Sequence, residues 1–196
     1  MSDLRINLVP QSPFEGILAK PTHDRSLIVT DRHGLGIATV LVRGQTSMTL
    51  AERVHEHLGI ELPHGPYRVT AEQLAFAGIG PGAWLATHER GDRALTAMLR
   101  PVTQDLASIF EQGDGYAVLR LSGPRVRDTL GKLIPLDLHP SAFNVGCVAV
   151  TTAGHMAATL WRLEDSCGAP VFELAVPRSF SACLWCSLSE NAPEHL

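Results

Sequence analysis

Residues 116–133 read YAVLRLSGPRVRDTLGKL, and the fold turns on how this stretch divides. YAVLRLSG has the apolar, β-branched character of a strand, whereas PRVRDTLGKL spaces its apolar groups as a helix does. A strand running straight into a helix is where many nucleotide enzymes hold a phosphate. Such a loop needs several glycines so that backbone amides can approach the anion, and Gly123 stands alone. Ser122 suits a helix cap and Pro124 a first helical position, where its missing N–H costs nothing. The stretch is therefore expected to be a structural turn.

The same order of elements occurs roughly 80 residues earlier, counting from Gly44 to Gly123. LGIATVLVR (35–43) reads as a strand, and TLAERVHEHLG (49–59) as a helix with Leu50, Val54 and Leu58 on one face. Thr49 and Glu52 are spaced for a capping box, and Gly59 for a stop. QLAFAGI and AWLATHE are strands around the turn GPG, and DRALTAMLR is a helix ending near Pro101. In the second half CVAVTT, MAATLWRL and VFELAVP are strands, RSFSACLWCSL is a closing helix, and LDLHP echoes the earlier IELPHGP. LASIFEQ reads as an extra strand leading into that half.

The expected fold is therefore α+β: two repeated two-layer α/β sandwich units, each strand-helix-strands-helix, packed together as one subunit. The units are placed at 26–102 and 103–196. Residues 1–25 form a proline-broken extended arm that lies either on its own domain or on another subunit.

At 196 residues with 45% apolar composition, the chain is long enough to bury a core without staples. Charged residues make up 18%, against about 25% in an average soluble protein. That deficit suggests surface covered by a partner. The net charge of −4, with Lys and Arg scattered, leaves no basic stripe for nucleic acid. No apolar run reaches the ~18 residues of a membrane span, and no leader pattern opens the chain, so a cytoplasmic protein is expected.

The remaining motifs are weak. Cys183 and Cys186 are spaced for redox or zinc chemistry, but a helix starting near Pro177 would place them inside it. Zinc would need two more ligands, which the separate Cys147 and Cys167 do not offer. Buried, reduced thiols are expected. His55 and His57 point different ways on a helix, no strained nucleophile turn is present, and Glu164 and Asp165 suit a solvated hairpin tip. GIGPGAW (78–84) lacks the Lys-Ser or Lys-Thr of a phosphate loop and reads as a hairpin bend. No catalytic, cofactor-binding or metal-binding residue is assigned.

GIGPGAWLA, GDGYAVLRLSGPRVRDTLGKLIPLDLHPSAF, LWRLEDSCGAPVFELAVPRSFSACLW and HLGIELPHGP together resemble the gamma subunits of bacterial heterotetrameric sarcosine oxidases. The resemblance is strongest over 113–143 and 160–185. It implies a fold similar to the folate-binding domains of aminomethyltransferases such as the glycine cleavage T protein. It also implies a non-catalytic gamma subunit of a complex that demethylates sarcosine oxidatively to glycine, produces hydrogen peroxide and passes a one-carbon unit to tetrahydrofolate. FAD, FMN, NAD, tetrahydrofolate and zinc would then reside in the alpha, beta and delta subunits. Two alternatives stay open: the equivalent subunit of a related N-methyl amino acid oxidase or dehydrogenase, and a free-standing folate-binding aminomethyltransferase. T proteins carry a glutamate that contacts folate in a glycine-containing hairpin. Aligned back from FELAVP, Gly168 falls on the second glycine of that hairpin and Ala169 on the glutamate. The Asp-x-Ser of T proteins appears here as Glu111-Gln112-Gly113, so the resemblance does not bring a folate site with it.

Overall fold

The structure, a computed structural model, describes residues 10–18 and 26–192. The chain runs β1 (Ile28–Asp31), β2 (Gly36–Val42), α1 (Ser47–Leu58), β3 (Arg68–Ala71), β4 (Leu74–Gly80), β5 (Ala83–His88) and α2 (Asp92–Thr103). It continues with β6 (Ala107–Glu111), β7 (Tyr116–Ser122), α3 (Val126–Gly131), β8 (Val148–Ala153), β9 (Met156–Ser166), β10 (Ala169–Pro177) and α4 (Ser181–Asn191). The strands form two five-stranded antiparallel sheets, ordered β3-β4-β5-β2-β6 and β8-β9-β10-β7-β1. Written this way the two orders correspond strand for strand. β2 and β7, α1 and α3, and α2 and α4 are equivalent elements of an α+β unit that occurs twice.

The fifth strand of each sheet comes from across the duplication. β1 precedes β2 in the chain but pairs with β7, and β6 precedes β7 but pairs with β2. The crossing links are short, residues 32–35 and 112–115. Four extended residues span about 13 Å, enough to step between sheets packed about 10 Å apart but not to wander. Each link closes on itself, Leu35 N–H donating to the Arg32 carbonyl (3.1 Å) and Gly115 N–H to that of Gln112 (2.8 Å).

Three apolar layers follow from the strand period of two. Between the sheets lie Leu35, Ile37, Ala77, Leu85, Val118, Val148, Trp161 and Ala175. On the outer face of the first sheet, Val40, Phe76, Trp84 and Ala86 meet Leu50 and Val54 of α1 and Leu95, Leu99 and Val102 of α2. On the outer face of the second, Leu119, Leu121, Phe172, Leu174 and Val176 meet Val126 and Leu130 of α3 and Leu184 and Leu188 of α4. Central strands covered on both faces read as near-continuous apolar runs, as VFELAVP does apart from Glu173. Within the described part of the arm, Phe14 is buried in the core of the second sheet. Residues 1–9 and 19–25 of the arm lie outside the described residues.

Several local expectations need correction. Helix α1 begins at Ser47, so the Thr49–Glu52 box does not form; Thr46 instead turns its hydroxyl to the carbonyls of Arg43 and Leu106. Gly59 does end it, in a left-handed conformation. Helix α2 runs through Pro101 to Thr103. Pro101 and Ala97 are both exposed, so water can replace the backbone bond that the ring removes. Helix α3 begins at Val126 without a side-chain cap, and Ser122 belongs to β7.

The link from β5 to α2 ties the first sheet together and contains two perturbed groups. Ile37 N–H donates to Asp92 Oδ1 at 2.8 Å and Arg90 N–H to His88 Nδ1 at 3.1 Å. Burial, helped by Asp114 and Glu111, holds the Asp92 carboxyl above its ordinary range, although the Ile37 amide opposes this. Burial and then the Arg90 charge hold His88 below the ordinary histidine value. A depressed histidine contributes stability that is present above its unfolded value, about 6.5, and is lost as pH falls through the folded value. Stability should therefore decline as pH drops below about 6.5, and His88→Gln should flatten that part of the curve. Urea midpoints measured across pH 5–7.5 for both proteins check this; an unchanged slope would contradict the assignment.

Candidate functional site

The most polar place in the interior is the junction of the two sheets. Glu173, 2% exposed, sits mid-way along β10 between Phe172 and Leu174 and points toward the first sheet. Its register neighbours are Arg120 on β7 and Trp161 on β9. Arg32 Nε and Arg120 Nε donate to its Oε1 at 2.7 and 2.9 Å, and Trp161 Nε1 donates to Oε2 at 2.7 Å. Arg32 stands in a crossing link and extends the chain of bonds to the first sheet: its Nη2 donates to both oxygens of Glu89, at 2.7 and 2.6 Å. Burial opposes the charge on Arg32, but the Glu89 bond and the Glu173 and Glu89 charges prevail and hold it above its ordinary value. Arg68 of β3 feels the same carboxylates from a position where burial dominates, pulling it below its ordinary value.

Chemically this is a clamp. A general base must reach a substrate proton, and Glu173 is enclosed with both oxygens engaged by fixed donors. Removing one member of such a buried ionic group leaves uncompensated charge, at a cost of about 3–5 kcal/mol.

A groove of about 510 Å³ lies between the β4–β5 hairpin, the loop 63–66 and Val150 of β8. Trp84 forms its floor, fixed by a 2.9 Å bond from Nε1 to the Pro63 carbonyl. Gly78 is required there: a Cβ would stand 1.9 Å from the Gly65 carbonyl oxygen. His64 and Ser47 are the polar side chains on its walls, a set that offers neither an acid–base pair nor a metal cage. Near it Tyr67, Val150 and Met48 are exposed.

The residues singled out from sequence are not brought together. In the Ser122-Gly123-Pro124 turn, Gly123 N–H donates to the Pro170 carbonyl and Arg125 N–H to that of Ser26, so these donors serve the fold. Gly80-Pro81-Gly82 is the expected hairpin bend, and Cys167-Gly168, both at positive φ, form the two-residue tip of the β9–β10 hairpin. Glu164 and Asp165 are exposed beside that tip, Asp165 paired with Arg162. Ala169 opens β10, placing a methyl group where the aligned acid would stand. Cys183 and Cys186 are exposed, not buried, because Ser181, Leu184 and Leu188 take the inward face of α4. The clamp itself was missed. Its one sequence signal is a lone acid inside the apolar run VFELAVP.

Two units of this α+β type, sheet against sheet, define the architecture shared with the folate-binding fold of aminomethyltransferases. The T protein of the glycine cleavage system from Bartonella henselae superposes with a TM-score of 0.61 at 14% identity, covering 84% of this chain and 45% of that one. A heterotetrameric sarcosine oxidase from Corynebacterium sp. U-96, solved in complex with pyrrole 2-carboxylate, contains a chain that superposes with a TM-score of 0.75 at 22% identity. That match covers 93% of this chain and 96% of the other. At these identities the likeness is one of fold.

The family follows from sequence. The model for the sarcosine oxidase gamma subunit family matches residues 43–194, and the chain belongs to that family. Curated gamma subunits from Corynebacterium sp. (strain P-1) and Arthrobacter sp. are 30% identical over 112 residues and 32% identical over 110. These alignments take in 56% and 55% of this chain, and the chain spans about half the length of the curated relatives it matches, 55% and 54%. No helix among the described residues is long and apolar enough to cross a membrane.

Replacing Glu173 by Ala should lower unfolding free energy by about 3–5 kcal/mol. Urea denaturation checks this; a loss under about 1 kcal/mol would show that the clamp is not a unit.

Proposed function

We propose that this chain is a structural gamma subunit, with no catalytic residues of its own, of a complex that oxidatively demethylates sarcosine or a related N-methyl amino acid. Family membership gives the class. The observation that carries the structural role is the Glu173 clamp, whose buried polar groups are consumed in joining the two sheets. Flavin and nicotinamide chemistry, the tetrahydrofolate acceptor and the zinc belong on this reading to the alpha, beta and delta partners. The low charge content and the exposed apolar side chains Tyr67, Val150 and Met48 suit a chain that works against other subunits. The arm, residues 1–25, is assigned to partner contact beyond Phe14, and the two repeats, each lending an edge strand to the other's sheet, to 26–102 and 103–196. A cytoplasmic complex is consistent with this assignment.

A folate-binding transferase is the competing reading, supported by the fold and opposed by Ala169 in place of an acid. Expressed alone, the chain should be colourless, should not turn over sarcosine and should not bind tetrahydrofolate at low-micromolar concentration. Co-expressed with candidate flavin-bearing subunits, it should co-purify with them. A visible flavin band in the isolated chain, or calorimetric binding of tetrahydrofolate to it, would overturn the proposal.

A further inference from the structure

Helix α4 follows β10 through a single 3-10 turn, Arg178–Phe180, and begins at Ser181. Cys183 therefore stands in the first turn, with Cys186 one turn on. Both are exposed, while Ser181, Leu184 and Leu188 face inward. Three residues of α-helix advance about 4.5 Å and rotate about 300°, so the two Cα atoms lie about 5 Å apart and the side chains about 60° apart around the axis. That separation is inside the range of about 4.4–6.8 Å that a disulfide spans. The other cysteines lack such a neighbour in sequence: Cys147 is partly covered and donates its S–H to Asn144 Oδ1 at 2.8 Å, and Cys167 occupies a hairpin tip at positive φ. Among the described residues no third His, Cys, Asp or Glu joins the pair to make a metal cluster.

We propose that Cys183 and Cys186 form a surface dithiol that hydrogen peroxide closes reversibly to an intrahelical disulfide. Only the source of the peroxide rests on the oxidase reading above. One thiolate attacks the peroxide O–O bond, giving a sulfenic acid and releasing one water once the leaving oxygen is protonated. The neighbouring thiol then attacks that sulfur, forms the S–S bond and expels the second water. The two thiols lose two electrons, and the peroxide gains them as it becomes two waters. An isolated cysteine has no such resolving partner and proceeds up the oxidation ladder instead.

The test uses the full chain with Cys147→Ser and Cys167→Ser, so that the pair alone remains, and the unsubstituted chain beside it. Each is treated with reagent hydrogen peroxide, then assayed by thiol titration in denaturant, intact mass and non-reduced peptide mapping. The pair should lose both thiols and the mass of two hydrogens, in a monomer, and recover both with dithiothreitol. Adding Cys183→Ser or Cys186→Ser should give an oxygen adduct instead. An oxygen adduct on the intact pair, or chains linked as dimers, overturns the proposal. Because the oxidant is supplied as a reagent, the result does not depend on the proposed function. A pair that closes with reagent but stays reduced in a purified complex oxidising its amine substrate overturns the link to the oxidase alone.

Discussion

The exchange of edge strands is the constraint on which the rest depends. β1 caps the sheet of the second unit and β6 that of the first, so neither half of the chain completes its own sheet. Links as short as residues 32–35 and 112–115 fix the separation of the sheets and the offset between them. Ordinary duplicated domains can move about a linker; two units that each hold the other's outer strand cannot separate without losing strand pairing. Rigidity of this kind suits the structural role proposed above.

Within that frame the Glu173 group settles how the sheets face one another. Apolar contacts are non-directional, so Leu35, Ile37 and Val118 alone do not single out one offset. Hydrogen-bonded charges do. Arg32 reaches Glu89 in the first unit and Glu173 in the second, from the very link that makes the crossing. The clamp and the exchange thus act at the same place, one through backbone and one through side chains. The groove lined by Trp84 lies apart from the clamp, between the β4–β5 hairpin and the loop 63–66, and has the exposed Val150 at its edge.

The order of elements was legible because strand and helix periods differ, and the repeat was legible because its turns recur with their glycines and prolines. The hairpin at Gly80-Pro81-Gly82 and the stop at Gly59 are local chemistry and stood where expected. Which sheet a strand joins is not local: nothing in LASIFEQ distinguishes pairing with β2 from pairing with β7, and β1 and β3, four residues each, carry too short a pattern to notice. Pro101 misled because its position on the helix surface, which makes it tolerable, is a tertiary fact. The cysteine pair misled for a similar reason: that α4 packs inward through Ser181, Leu184 and Leu188, leaving Cys183 and Cys186 exposed, is also a tertiary fact. Glu173 was hidden because a charge buried in a strand looks like any other polar residue until its partners, Arg32 and Arg120, arrive from elsewhere in the chain.

A brace and a catalyst differ in what their removal does. The decisive measurement is assembly and turnover per bound flavin in preparations of the partner subunits co-expressed with and without this chain. Without it, assembled complex should fall sharply while turnover per flavin in whatever assembles stays unchanged. Fully assembled partners that turn over slowly, and recover when this chain is added, would contradict the structural role.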